Sequence, residues 1–480
     1  MGNTQSSKEL AIGLVFIGLV SAAMSSLGAP LVPTVVKVLH IHLAAAQWTL
    51  TISLLVGAVM TPVLARLGDG PHRRNVILTT LWVVLAGSVL ATLSLGLIGL
   101  LVGRALQGVG LGLSALIIGV AKDHFVGSSA QRVVAVVSVT SLAGVGFGYP
   151  IAGAVAEFAG LHAAYGIGIV MAGIALVFGY RTLPYERHRV LRKLDITGAG
   201  MLGLALALLL YALTQVAGST LPRIVVVAIG AAALALLVVW VRYERRQSEP
   251  LVHLGTLRHP TVLFADSLVF LASIGMYLLL STSVRYVQTP TTVVYGLGAS
   301  VLTTGFMLTP FSVLGFAASR IVPILRRTTS DRQILAFSAG VVLISLIGFA
   351  CLRSQLWQMF IWIGLAGLGI GAIYAAAPAL IISSVPARIT TSAIGFNQVL
   401  RMVGFSIGSA LSASILELYT PRGSTPPLSK GYTAVAIVGI AIITLTIGMT
   451  MLSYVRQRRH SAIPLGELQF AEEGVGSGSL

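Results

Sequence analysis

PVLARLGDGPHRRNV, residues 62–76, packs Arg66, Asp69, His72, Arg73 and Arg74 into nine residues between two apolar runs. It reads as a short charged hinge between two membrane spans. Asp69 and Arg73 lie four apart at a helix end, close enough to pair with each other or with a charge on a neighbouring helix. Composition makes the flanking runs spans. Hydrophobic residues are 56% of the chain and charged residues 9%, against roughly a quarter charged in an average soluble domain, and mean hydropathy is +0.93. Backbone groups in lipid must satisfy one another, so apolar runs this long are helices, and the chain is an all-α polytopic membrane protein. Net charge is +17. The basic residues sit in short loops between spans, so anionic lipid head groups are the expected counter-charge and nucleic acid is not an expected partner.

A span needs about 20 apolar residues. Fourteen segments qualify: 10–36, 45–67, 75–96, 98–121, 132–156, 162–182, 196–216, 222–242, 261–284, 296–318, 333–352, 356–381, 389–416 and 432–455. Lys and Arg concentrate in cytoplasmic loops. Here they recur at Arg66/Arg73/Arg74, Arg187/Arg189/Arg192/Lys193, Arg242/Arg245/Arg246, Arg320/Arg326/Arg327 and Arg456/Arg458/Arg459. That pattern puts both termini in the cytoplasm of a multi-pass plasma (inner) membrane protein. Long basic loops after the sixth and eighth spans divide the chain into an N-terminal six-helix bundle (1–182), a two-helix insert (183–260), a C-terminal six-helix bundle (261–460) and a flexible cytoplasmic tail (461–480). The loops after the second and tenth spans both place paired arginines six to eight residues beyond a leading Arg, a weak internal repeat of the kind transporters are built from.

Several function classes drop out. The single cysteine, Cys351, excludes an internal disulfide and reads as a buried inert thiol, and no Cys/His spacing points to a metal. The first apolar run outlasts a signal peptide's apolar core and reads as the first span. The glycine pairs at Gly108/Gly110 and Gly367/Gly369/Gly371 lie in apolar helices with no preceding strand, and no Gly-Lys-Ser/Thr cradle occurs, so no nucleotide, cofactor or catalytic residue is expected.

Charges inside spans are more informative, because each costs at least a few kcal/mol and faces a wet cavity or a partner. Arg104 lies about 9 Å in from the outer end of the fourth span, with Gln107 one turn on; snorkelling to the interface is the alternative. Arg401 is deeper, one turn after Asn397. Asp266 is the only carboxylate well inside a span. A carboxylate in low dielectric holds its proton more tightly and can exchange it near neutral pH, so Asp266 is the first proton-coupling candidate and Arg104 the second. Pairing with a cytoplasmic Arg, or with a helix N-terminus, is the other reading. Trp48, Met276, Tyr277, Trp362 and Tyr374 could line a permissive cavity. Tyr374 stands out because it follows a glycine run and precedes Pro378. Gly144, Gly148, Pro150 and Gly153 would loosen the fifth span or let a neighbour approach closely. Two embedded Arg and one Asp suit neutral, zwitterionic or anionic amphiphiles better than dications.

The opening stretch resembles the signature loop of the major facilitator superfamily, Gly-x-Leu-Ala-Asp-Arg-x-Gly-Arg-Arg, through Asp69 and Arg73, without its glycines. Gly103 to Gly110 resembles the family's Arg-x-x-Gln-Gly motif. Gly144 to Gly153 is similar to the antiporter motif, with the proline displaced by one. Asn397 and Arg401 resemble the Asn-x-x-x-Arg pattern of the fourteen-helix drug:proton antiporter branch. The resemblance covers nearly the whole chain. It implies a charge latch of Asp69, Arg73 and Asp123, which rocking of the halves would break, and a cavity drawing on Gln107, Tyr374, Asn397 and Arg401. It also implies proton-driven export of drug-like or natural-product amphiphiles by a monomer in contact with membrane lipids. Where this branch commonly carries an Asp in its first span, a gap-free match places Met24. That departure leaves room for a lipid or envelope-precursor transporter of the same fold, or for a transporter-like sensor that moves nothing.

Overall fold

The computed structural model describes residues 2–68, 72–93, 96–125, 128–185, 195–218, 221–247, 250, 255, 259–384, 387–421 and 426–461; within them, side chains at 2–7, 22–23, 25–26, 43–44, 115, 122, 128–147, 217–218, 387–392 and 453–461 are left aside. Asp69 and the tail beyond 461 lie outside the described residues. The apolar runs form α1 (Gly2–Ser26), α2 (Val32–Leu39), α3 (Leu43–Gly68), α4 (Arg73–Leu93), α5 (Gly96–Val109), α6 (Leu113–His124), α7 (Ser128–Thr182), α8 (Ile196–Gly218), α9 (Arg223–Glu244), α10 (Pro260–Gln288), α11 (Val301–Leu325), α12 (Asp331–Cys351), α13 (Leu356–Ser384), α14 (Ala387–Leu418) and α15 (Ser429–Ser461). No strand occurs among the described residues.

The chain holds 12 to 14 candidate membrane helices. The range reflects α1 and α7. At 55 residues, α7 would run about 80 Å as one rod, against a hydrocarbon core of about 30 Å. It turns at Gly160, where φ is 83°, a left-handed conformation that glycine adopts at no steric cost. Two legs result, one before and one after Gly160.

The helices α1–α7, here called the first half, and α10–α15, the second half, meet through a symmetric exchange of partners. The second span of the first half, α3, packs on α14, the fifth of the second half; the second span of the second half, α11, packs on the first leg of α7, the fifth of the first half. The end where α4 starts and α6 and α7 finish is here termed proximal, and the opposite end distal. The distal α7–α11 seam is close enough that a Cβ on Gly153 would lie 2.6 Å from the Val301 carbonyl oxygen, and one on Gly305 2.5 Å from that of Tyr149. With little hydrophobic drive between helices in lipid, such small-residue contacts supply the packing.

The insert lies at the side of this junction. α8 packs on both α3 and α14, and Leu206 and Leu210 meet Leu55 and Val403 around a small dry gap. The Ser414 hydroxyl donates to the Leu213 carbonyl at 2.5 Å. α9 buries only Val226, Ala233, Trp240 and Glu244 and otherwise faces outward. Cys351 corrects the sequence expectation. It is exposed at the last residue of α12, on the side away from the buried Phe349 and Arg353.

Candidate functional site

Three polar clusters lie inside the apolar bundle, and each is held by facing helices. In the first half, α5 carries Arg104 and Gln107 one turn apart, both fully buried. The Arg104 Nη1 donates to Gln107 Oε1 at 2.7 Å, and its Nε to the Thr49 carbonyl of α3 at 2.9 Å. Gln107 passes the chain on to Ser88 of α4 at 3.0 Å. The guanidinium lies 5.8 Å from the Tyr165 ring, and its Nη2 has no hydrogen-bond partner. The sequence pairing of Arg104 with Gln107 is thus a direct bond facing the bundle interior.

The second half holds Asp266, Asn397, Tyr374 and Arg401 together. Asp266 on α10 is 1% exposed. Its Oδ1 accepts from Asn397 Nδ2 of α14 at 2.8 Å, while Oδ2 has no hydrogen-bond partner. One turn beyond Asn397, the half-buried Arg401 lies 5.0 Å over the ring of Tyr374. The Tyr374 hydroxyl pairs with Ser273 of α10 at 2.7 Å and reaches the sulfur of Met276 at 3.7 Å. Asp266 and Arg401 form no salt bridge with each other among the described residues. Tyr277 stacks on Phe405 at 4.6 Å, and Phe405 in turn lies 6.3 Å from the Tyr374 ring, so Tyr277 adjoins the second cluster. Of the other aromatics named from sequence, Trp362 is fixed by its Nε1 donating to the Leu352 carbonyl at 2.6 Å, and Trp48 packs beside the insert.

The third cluster bridges the halves and was missed in the sequence. Arg285 on α10, 5% exposed, donates through Nη2 to the Oε1 of Gln47 on α3. Gln47 Nε2 donates to Ser281 at 3.2 Å and to Ser409. Thr51 pairs with Ser409 at 3.0 Å, and Ser412 donates to Ser281 at 2.9 Å. Two further bonds cross the halves distally: Gln288 Nε2 to the Pro30 carbonyl at 3.1 Å and the Leu302 amide to Glu157 Oε2 at 3.0 Å. A hydropathy window ends at residue 284, so Arg285 falls just outside the span it belongs to.

At the proximal end Arg73, 5% exposed, donates from Nη1 to Asp123 Oδ2 at 2.7 Å and from Nε to the Gly68 carbonyl at 2.6 Å. The guanidinium lies over Gly119, where an added Cβ would sit in ordinary contact, 3.4 Å from the Arg73 Cζ. Arg74 donates to the carbonyls of Leu183 and Tyr180 at 3.0 and 2.9 Å, tying α4 to the end of α7. Arg73 and Asp123 both belong to the first half. Asp69 and the side chains at 387–392 lie outside the described set. Arg326, at the matching position of the second half, pairs instead with Asp331 of its own loop at 2.6 and 3.0 Å. A polar cleft of about 470 Å³ opens there between Thr261, Arg326, Asp331 and Ser384, apart from all three interior clusters. Along α7, Gly148, Pro150 and Gly153 stay helical, and Pro150 and Gly153 line the α11 seam, whereas the packing of Gly144 is outside the described residues.

Two exchanging halves with polar groups buried along their junction describe a machine that moves solutes. The profile of the Major Facilitator Superfamily matches residues 14–409. The chain belongs to the major facilitator superfamily. It is a multi-pass membrane transporter of that superfamily. This facilitator is 25% identical over 385 residues to the proteins named as multidrug resistance protein MdtD from Escherichia fergusonii and Escherichia coli, covering 79% of either chain. Among solved structures it is similar to the human organic anion transporter MFSD10 (TETRAN), with TM-score 0.59 and 15% identity, and to a variant of the nucleoside transporter NupG, with TM-score 0.63 and 13% identity. Each alignment covers 92% of this facilitator and 99% of the other chain. At those identities the likeness is one of fold.

Proposed function

We propose that this facilitator is a secondary active exporter of drug-like or natural-product amphiphiles, working by alternating access and driven by proton antiport across the inner membrane, with both termini cytoplasmic. The observation that carries the reading is Asp266: a buried carboxylate with one oxygen bonded to Asn397, the other without a hydrogen-bond partner, and no cation paired to it. A carboxylate so placed is suited to accept and release a proton as its access to water changes. The MdtD-like relatives support the multidrug direction, and the basic loops support the orientation.

Alternating access assigns the remaining parts. In the state described, the distal end is sealed by the α7–α11 seam and by the Gln47 network. Opening that end parts α3 from α14 and α7 from α11 while each half keeps its own bonds, Arg104–Gln107 and Asp266–Asn397 among them. The Arg73–Asp123 pair, within the first half, stiffens that half's proximal corner. Met24, buried at 1% exposure, offers no proton, so coupling rests on the second half.

The test is efflux of several dyes and antibiotics from proteoliposomes with and without an imposed pH gradient. Gradient-dependent flux of more than one amphiphile is the expected result. Flux indifferent to the gradient would remove proton antiport, and no flux of any amphiphile would remove export.

A further inference from the structure

Arg285 has no salt-bridge partner among the described residues. Its Nη2 is bonded to Gln47, whereas Nε and Nη1 have no hydrogen-bond partner although buried. A guanidinium withdrawn from water in this way is costly unless an acceptor meets its donors. Arg104, on the other side of the same stretch of α3, is likewise buried with its Nη2 unpartnered. The three interior clusters thus hold three arginines, Arg104, Arg285 and Arg401, against one carboxylate, Asp266, which is bonded to Asn397. One turn on, the Thr289 hydroxyl donates to the Arg285 carbonyl at 2.9 Å and lies 3.2 Å from the Tyr432 hydroxyl. Tyr432 belongs to an aromatic cap with Tyr286 and Tyr295, ring centroids 5.1 and 5.6 Å apart.

We infer that Arg285 is an oxyanion-binding group of the transport pathway, and that the cargo is an amphiphilic organic anion. The inference rests on the export reading and narrows its substrate class. A guanidinium offers two-donor edges that match a carboxylate or phosphate, and each such edge includes Nη2, the atom Gln47 occupies. While the distal end is sealed, Gln47 serves as a neutral stand-in. When α3 and α10 part, the acid group of the cargo takes that place, and its apolar body lies against the aromatic cap. The exchange links cargo recognition to the opening of the seal, because the bond that cargo replaces is one that joins the halves.

The test uses probes sharing one apolar body: pyrenebutyrate, pyrenebutyl phosphate, the methyl ester of pyrenebutyrate, and pyrenebutyl-trimethylammonium. Binding to the purified full-length protein and flux in proteoliposomes are measured separately. The wild type is expected to bind the anions at least tenfold more tightly than the cation, and the tighter anion identifies the head group. Arg285→Gln should weaken the anions at least tenfold and leave the ester unchanged. Arg285→Lys, which keeps the charge and loses the fork, should fall between. Gln47→Ala should tighten anion binding, because the competing acceptor is gone. A merely structural bond would instead make both partners' variants weaker together, so if Arg285→Gln does not fold, the Gln47 and Lys variants decide. Equal binding of all probes, or anion binding indifferent to Arg285, overturns the anion site and leaves export standing. Arg285-dependent anion binding without flux of any probe overturns export and leaves the site. Binding of no probe overturns both.

Discussion

Gly153 and Gly305 set how closely the distal seam can shut. A methyl group on Gly153 would lie 2.6 Å from the Val301 oxygen and 3.0 Å from the Leu302 Cα; on Gly305 it would lie 2.5 Å from the Tyr149 oxygen and 2.7 Å from the Pro150 Cα. All four obstacles are backbone, which cannot swing aside as a side chain can. Comfortable carbon contacts are about 3.5–4.0 Å, so α7 and α11 must part by roughly an ångström to admit either methyl group. Overpacking of this kind costs about 1–3 kcal/mol, which corresponds to a shift of about 5- to 150-fold in a two-state population. Gly153→Ala and Gly305→Ala should therefore lower the distal-closed population by that factor. The assay places a reporter at Thr304, fully buried beside the seam, as Thr304→Cys in a Cys351→Ser background, since Cys351 is the single cysteine and is exposed. The rate of labelling by a membrane-impermeant maleimide from the distal side reports the open fraction while that fraction is small. Both variants should label faster, and Gly340→Ala, with nothing within 4 Å of its Cβ position, should not. Unchanged labelling in correctly folded Gly153→Ala and Gly305→Ala protein would show that this seam is not the gate.

Other expectations are simpler to state. Arg73→Ala removes two charge-assisted bonds, and since Asp123 is 40% exposed the loss should be about 1–3 kcal/mol, read as a lower thermal midpoint and altered labelling from the two sides. Arg73→Lys should recover less than half of that, because one ammonium cannot copy the Nε and Nη1 bonds together; full recovery would contradict the geometry. Arg104→Met leaves the Thr49 carbonyl and Gln107 Oε1 without their donor, at about 1–3 kcal/mol each, and should depress thermal stability as well as flux. A variant as stable as the wild type would mean that those bonds contribute nothing.

How much of this was legible in the sequence depends on the distance between partners. Apolar runs are local, so the membrane helices could be read along the chain. Arg104 and Gln107 are one turn apart, and their bond was readable for the same reason. Asp266 and Asn397 were each conspicuous as polar residues in apolar spans, but nothing in a single chain says that they meet across 131 positions. Arg285 was the main omission. Hydropathy treats a charge as the end of a span, while the fold buries this one by supplying Gln47 from 238 positions away. The seryl groups of that network are too common in membrane helices to attract notice. The turn at Gly160 was expected as a gap between spans; that one glycine makes it without a loop follows from backbone geometry. Asp69, the acid that made the opening stretch recognisable, lies outside the described residues, and Asp123 is the partner found for Arg73.

Asp266 is where the account is most exposed to experiment. Asp266→Asn preserves shape and keeps a hydrogen-bonding oxygen toward Asn397 while removing the titratable proton. In proteoliposomes, amphiphile movement driven by a pH gradient and amphiphile exchange at equal pH should be measured side by side on this variant and the wild type. The account expects gradient-driven movement to be lost in Asp266→Asn while exchange persists; gradient-driven movement equal to that of the wild type would contradict it.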